Sequence, residues 1–147
     1  MSKLAFNRVI NSLFCVLFMG LSCLSMAQEK TCTHQQAIIA DKLTDQLQSW
    51  DTLEYAFNQY GQCDLGGTSE RFSDGIAWLL IEHWDTLPLL AERIEQNPPL
   101  KRFVLKHIDQ TLAPGTVARI KKLATSSCQP DVKPLCDEIK FATRIIS

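Results

Sequence analysis

The histidines are the side chains of this sequence best suited to metal binding or proton transfer at neutral pH. His83 and His107 fall on the apolar faces of two predicted helices, and Glu82 precedes His83. A metal or acid–base site requires these groups to converge, and the sequence contains no H-E-x-x-H or comparable spacing. We therefore expect two imidazoles at the edge of the core, each bonded to a backbone carbonyl. A periplasmic metal-binding protein that uses His83 and His107 is the alternative.

A nucleophilic serine and a pair of carboxylates are the other candidate catalytic groups. Ser73 lies within a predicted helix and lacks the G-x-S-x-G turn of a serine hydrolase. Acidic residues crowd positions 64–85, and two carboxylates at a suitable separation can cleave a glycosidic bond. These residues are Asp64, Glu70, Asp74, Glu82 and Asp85. Acidic residues also favour helix N-termini, so a small cell-envelope hydrolase is an alternative and not the leading hypothesis.

Two segments are candidates for binding a partner protein. In the loop after Cys63, two glycines give the backbone conformational freedom, and Leu65 beside Asp64 is predicted to form an exposed tip. Further along the chain, a basic cluster could face an acidic partner, anionic lipid headgroups or only solvent. The cluster comprises Lys101, Arg102 and Lys106, followed by Arg119, Lys121 and Lys122. The predicted partner-binding residues are Asp64, Leu65, Gly66, Gly67, Lys101, Arg102 and Lys106.

Four cysteines follow the N-terminal apolar segment, and an even number suggests disulfides. Four cysteines allow three pairings. Cys32 precedes the first predicted helix and Cys63 follows the second, so an antiparallel helical hairpin would bring them together. Cys128 and Cys136 flank a short loop that contains proline. We therefore predict the bridges Cys32–Cys63 and Cys128–Cys136. The absence of C-x-x-C from the sequence disfavours a zinc site and excludes c-type haem attachment.

Residues 1–27 have the features of a cleavable signal peptide. Two basic residues and no acidic residue precede an apolar stretch that continues to Leu24, and Ser25-Met26-Ala27 supplies small residues for cleavage. The apolar stretch is short for a spanning helix, which needs about 20 apolar residues. We expect cleavage before Gln28, a periplasmic or secreted protein, and no stable membrane insertion afterwards. An uncleaved anchor and a lipoprotein attached at Cys23 are the alternatives.

The charge of the predicted mature domain, residues 28–147, bounds the class of partner. Its 13 basic and 16 acidic side chains give a net charge of −3, whereas nucleic-acid-binding domains are usually basic. We therefore expect no nucleic-acid partner. The charge is also polarised, with −8 on residues 28–97 and +5 on residues 98–147. This polarity could steer a charged partner, or it could hold the two halves together.

Apolar residues recur at helical spacing through nearly all of the mature chain, and no alternating run is long enough for a strand. The sequence predicts a single all-α domain of about seven short helices, packed as antiparallel hairpins in a compact bundle or short solenoid. The run Ile76–Ile81 is apolar all round, which predicts that the third helix lies at the centre.

Polar residues, prolines and a glycine predict the boundaries of these helices. For the second helix we predict a capping box of Asp51 and Glu54 and an end at Gly61. Thr68 or Ser69 should start the third helix, and Asp85 should cap the fourth. Asn97-Pro98-Pro99 should separate the fourth from the fifth, and Pro114 should start the sixth. The tetrapeptide Trp50–Leu53 recurs as Trp84–Leu87. We interpret it as one corner that ends a helix and caps the next, used twice.

These observations favour a non-enzymatic protein that binds a partner protein. The sequence contains no complete catalytic, cofactor or metal motif, so we expect no cofactor. In size, export and helical architecture the chain resembles the small immunity proteins that neutralise cell-wall-degrading toxins delivered between bacteria. The resemblance implies an immunity or inhibitor function. No motif matches residue by residue, so it implies no site residues, and the sequence leaves the oligomeric state open.

Overall fold

The computed structural model describes residues 30–145, and this part of the chain is all α-helical, as predicted. Seven helices are joined by short connections, three of which contain a 3-10 turn. The helices are α1 His34–Thr44, α2 Trp50–Tyr60, α3 Gly66–Glu82, α4 Leu87–Gln96, α5 Pro99–Lys106, α6 Pro114–Ser126 and α7 Lys133–Ile145. None of these helices is long and apolar enough to cross a membrane. The predicted signal peptide, residues 1–27, lies outside the described residues.

Helix α3 lies at the centre of the domain and packs against α1 on one side and α6 on another. Its inward residues Phe72, Ile76 and Leu80 have no exposed surface, and they join the core residues of α2, α4 and α5. Burial of such side chains contributes about 1.5–3 kcal/mol each before the entropy cost of folding. The central position agrees with the prediction, although Trp78 on the same helix is 42% exposed. The helix is therefore not buried on every side.

Prolines mark helix boundaries where the sequence predicts them. Helix α4 ends at Gln96, and α5 begins at Pro99 after Asn97 and Pro98. Pro114 is the first residue of α6. The reason is that proline has no N–H to donate and a fixed φ, so it suits only the first turn of a helix. Gly61 also follows the last residue of α2, as predicted.

The predicted side-chain caps are wrong, because the helices begin at other residues. Ser49 caps α2, and its side chain and that of Thr52 form the capping box. Asp51 therefore lies inside the first turn, and Glu54 instead accepts hydrogen bonds from α4. Helix α3 begins at Gly66, upstream of Thr68 and Ser69, without a side-chain cap. Asp85 lies in a 3-10 turn that precedes α4, and it caps no α-helix.

The two disulfides pair as predicted. Cys32 and Cys63 join the residue before the cap of α1 to the turn that follows α2, with Cα atoms 4.9 Å apart. Cys128 and Cys136 join the loop after α6 to the first turn of α7, with Cα atoms 6.1 Å apart. The first bridge thus joins the start of α1 to the end of α2, and the second closes the connection between α6 and α7.

The two copies of the repeated tetrapeptide contact each other. Trp50 and Trp84 are both buried, and Leu53 and Leu87 have no exposed surface. The indole N–H of Trp50 donates to Oγ1 of Thr86, 2.9 Å away. The prediction that each copy ends one helix and caps the next is wrong, because the first copy begins α2 and the second forms a 3-10 turn. What the copies share is a buried tryptophan and leucine at a helix entry.

Candidate functional site

A groove with a volume of about 970 Å³ lies between α5 and α7. Helix α5 and the residue before it supply one wall: Pro98, Pro99, Lys101, Arg102, Leu105 and Lys106. Helix α7 supplies the other: Asp137, Glu138, Phe141, Ala142 and Ile145. In both helices these residues recur three or four positions apart, which places them on one face. The groove therefore consists of two helical faces that other helices leave uncovered.

Exposed apolar side chains line the floor and one end of the groove. Phe141 is 62% exposed and Ile145 is 70% exposed. Leu105 of α5 and Ala142 of α7 are half-buried between them. Single exposed apolar residues are ordinary on a protein surface, but a contiguous apolar groove with a polar rim is typical of a binding surface.

Three residues of the basic cluster predicted from the sequence, Lys101, Arg102 and Lys106, lie on the α5 wall of this groove, whereas Arg119, Lys121 and Lys122 lie on α6. Lys101 forms an ion pair with Glu138 across the groove, with the two atoms 3.0 Å apart. Lys106 contacts the carboxylate of Asp64. Arg102 is exposed and has no ion pair within residues 30–145. On the α7 wall, Asp137 pairs with Lys133, 3.1 Å away.

The second predicted segment, residues 64–67, lies beside the cluster, because Asp64 contacts Lys106. Leu65 is 72% exposed, as expected for a loop tip. Gly66 has a φ of +54°, in the left-handed region that disfavours residues with a Cβ atom. Asp64 does not share this exposure, because its side chain is only 3% exposed and contacts Lys106 and His107.

Behind this loop, Asp64 joins a buried polar network centred on His107. The His107 side chain is 1% exposed, and its Nε2 atom lies 3.2 Å from Oδ2 of Asp64. Its Nδ1 atom lies 3.0 Å from Oγ of Ser73, which is fully buried in α3. Ser73 also donates to the carboxylate of Asp109, 3.0 Å away. The expectation that His107 binds a backbone carbonyl is therefore wrong; its partners are the side chains of Asp64 and Ser73, from two other parts of the chain.

The positions of the protons follow from the partners of Ser73. Its hydroxyl has one proton, and both the carbonyl oxygen of Ser69, 3.2 Å away, and the ionised carboxylate of Asp109 can only accept. The ring Nδ1 of His107 therefore donates to Ser73. Since Nε2 faces the Asp64 carboxylate, both ring nitrogens face acceptors. The contact between Nε2 and Asp64 lacks the geometry of a directed hydrogen bond.

Three carboxyl groups have a pKa below the ordinary value. Burial alone would raise the pKa of Asp64, but His107 and Lys106 beside it lower that pKa well below its usual range. Burial alone would also raise the pKa of Asp109, but hydrogen bonds from Thr111 and Ser73 to its carboxylate lower that pKa below its ordinary value. Hydrogen bonds from Arg93 and Asn97 lower the pKa of Glu54.

Ser73, His107 and Asp64 have the composition of a hydrolase triad, but the geometry does not suit catalysis. A nucleophilic hydroxyl must reach a substrate carbonyl in a site that substrate can enter. Ser73 has no exposed surface, and its hydroxyl already faces the imidazole, a carboxylate and a backbone carbonyl. The network therefore ties the loop, α3 and the end of α5 together, and its role is structural.

The other candidate catalytic and metal-binding residues do not join it. His83 packs its ring against Trp78, 4.7 Å between centroids, and does not share the partners of His107. Within residues 30–145, no group of three histidine, cysteine, aspartate or glutamate side chains could hold a metal ion. Of the five acidic residues considered for hydrolysis, only Asp64 is buried; Glu70, Asp74, Glu82 and Asp85 are exposed.

Sequence reasoning missed the apolar part of the groove and the assembly of the network. A signal for the first was present: Phe141 and Ile145 are four residues apart and fall outside the stripe of Leu135 and Ile139 that faces the core. No comparable signal exists for the network, whose members are separated by tens of residues.

Comparison with known proteins finds no matching family, no similar curated protein and no similar solved structure.

Proposed function

We propose that the mature chain is a non-enzymatic protein of the periplasm or exterior, and that it binds a partner protein through the groove between α5 and α7. The observation that carries the proposal is the contiguous exposed apolar floor, which includes Phe141 and Ile145 and is bordered by cations. Recurring modes of peptide recognition use such grooves between helices. Three of the residues predicted for partner binding, Lys101, Arg102 and Lys106, line it.

The scaffold supports this proposal, because a rigid surface loses little conformational entropy on binding. Two disulfides and the buried network around His107 hold the helices and the loop at residues 64–67 in place. The resemblance in size and architecture to small helical immunity proteins suggests the class of partner. We propose a cell-envelope toxin or wall-degrading enzyme, which this protein would inhibit.

The test is affinity capture from an envelope extract with the processed, oxidised protein and two matched variants. Phe141→Ser removes an exposed apolar side chain from the groove. Leu89→Ser removes one that is 52% exposed on α4, away from it. We expect one stoichiometric partner, retained by Leu89→Ser and lost by Phe141→Ser. Failure of the wild-type protein to capture a partner, or equal capture by both variants, would refute the proposed function.

A further inference from the structure

The dimensions of the groove limit what can occupy it. Helix α5 has 8 residues and α7 has 13, so at 1.5 Å per residue the walls are about 12 and about 20 Å long. Two roughly helical walls with an apolar floor leave space for a third helical segment of two to three turns. Such a segment buries residues at i, i+3, i+4 and i+7 against the floor.

The charges on the two walls are not equally satisfied. Asp137 and Glu138 of the α7 wall are each paired with a lysine. On the α5 wall, Arg102 has no ion pair in the part of the chain that the structure describes. The cation Arg102 therefore attracts negative charge to the α5 side of the groove.

The occupants that this chain itself could supply have the wrong charge. In a second copy, the exposed Phe141 and Ile145 are adjacent in sequence to Lys140 and Arg144, so docking them would bring cations towards Arg102. The apolar segment within residues 1–27 has two basic and no acidic residues.

We infer that the occupant is a short amphipathic helix of the partner protein, with an apolar stripe and with carboxylates along the flank that faces α5. The inference rests on the proposed function and specifies the chemistry of the partner. Apolar contacts with Phe141, Leu105 and Ile145 supply most of the affinity, because binding removes these side chains from water. The carboxylates opposite Arg102 set the orientation and the preference over uncharged helices.

The test uses two synthetic helical peptides of about 14 residues, which span about 20 Å. They share one leucine stripe and differ only in whether glutamate or lysine flanks it. Fluorescence anisotropy measures the affinity of each for the processed, oxidised protein at low salt, where surface charges are least screened. We expect the glutamate peptide to bind at least about tenfold more tightly, a difference near 1.4 kcal/mol.

Matched variants locate the site. Arg102→Glu should remove the preference for the glutamate peptide, whereas Lys122→Glu, an exposed charge reversal on α6, should retain it. Phe141→Ser should weaken both peptides, and Leu89→Ser should weaken neither. Equal affinity for the two peptides, preference for the lysine peptide, or no binding of either would overturn the inference.

The remaining outcomes separate this inference from the proposed function and from other occupants. A captured partner that Phe141→Ser loses and Arg102→Glu retains would leave the proposed function standing and overturn the inference. A dimer in light scattering that Phe141→Ser dissociates would overturn it in favour of a second copy. Binding to phosphatidylglycerol vesicles that Arg102→Glu abolishes would overturn it in favour of a membrane surface.

Discussion

At the scale of single residues, the buried charges around His107 are the feature with the greatest energetic consequence. Taking Asp64 out of water is costly unless a cation compensates it, and both His107 and Lys106 contact its carboxylate. The rings of Phe72 and Phe103 lie 5.8 and 4.6 Å from the imidazole and exclude water from that side. Removing one partner therefore leaves a charge that the surroundings cannot solvate.

We expect His107→Ala to lower the free energy of unfolding by about 3–5 kcal/mol, because it removes one of the two partners of the buried Asp64 carboxylate and leaves a cavity in the core. Urea denaturation measures the change. His83→Ala is the matched control, since that ring is partly exposed and contacts Trp78 at the surface; we expect a loss below about 1 kcal/mol. Comparable losses in the two variants would contradict the assignment of His107 to a charged network.

The lowered pKa values predict how stability depends on pH. Since the folded state lowers the pKa of Asp64, Asp109 and Glu54, the unfolded chain binds more protons near its ordinary carboxyl pKa of about 4. The stabilisation is complete above that pH and is lost as pH falls towards the folded values. We expect the urea midpoint to fall between pH 5 and pH 3.

The variant Asp64→Asn tests the source of this pH dependence. It should be less stable at pH 7 and should show a shallower loss of stability between pH 5 and pH 3 than the wild-type protein. Asp74→Asn removes an exposed carboxylate that forms no ion pair within residues 30–145, and it should keep the wild-type slope. An unchanged slope in Asp64→Asn would refute the role given to Asp64.

These residues also show where prediction from the sequence ends. Ser73 and His107 are 34 positions apart, and Ser73 and Asp109 are 36 apart. Their meeting depends on how α5 packs against α3, which no local pattern records. The sequence predicts that His107 faces inward because its neighbours are apolar, but it does not reveal the partner that satisfies the ring.

At the scale of elements, the number of helices and their proline boundaries are predictable because they depend on local chemistry. The caps are less predictable, because several polar residues stand near each helix start. Ser49 and Asp51 can both cap a helix. The burial of Trp50 and Leu53 decides between them, since it sets where the first turn of α2 must lie.

The start of α3 yields a prediction about backbone conformation. Gly66 has a φ of +54° and open space around it, so Gly66→Ala should destabilise the protein by about 1–2 kcal/mol through backbone strain alone. Gly67 also has open space but no positive φ. Gly67→Ala should be neutral or stabilise by up to about 1 kcal/mol. Thermal unfolding of the pair checks the prediction, and equal effects at the two positions would contradict it.

At the scale of the whole molecule, the first half of the chain is acidic and the second half is basic. Contacts within the fold pair some of these opposite charges. Asp64 pairs with Lys106, and Glu82 lies 3.3 Å from Arg119, so acidic residues of the first half meet basic residues of the second. These contacts support attraction between the halves. Arg102 forms no such contact within residues 30–145, so its charge is left to steer a partner towards the α5 wall.

Export is a property of the whole chain and has a direct test. We expect the protein recovered from the periplasm to begin at Gln28 and to lack two hydrogens for each of two disulfides, because cleavage and oxidation both occur outside the cytoplasm. Intact-mass spectrometry measures both quantities, with a reduced sample as the control. A retained N-terminal segment, or a lipid on Cys23, would instead favour one of the anchored forms.

Each disulfide joins two cysteines that are consecutive in the mature chain, Cys32 with Cys63 and Cys128 with Cys136. During translocation from the N-terminus, an oxidase that pairs thiols in their order of emergence would produce this connectivity directly. Non-consecutive pairings, in contrast, require later reshuffling by thiol–disulfide exchange. For an exported chain, we therefore expect the yield of the oxidised protein to depend on the oxidase and to be unchanged by loss of a disulfide isomerase.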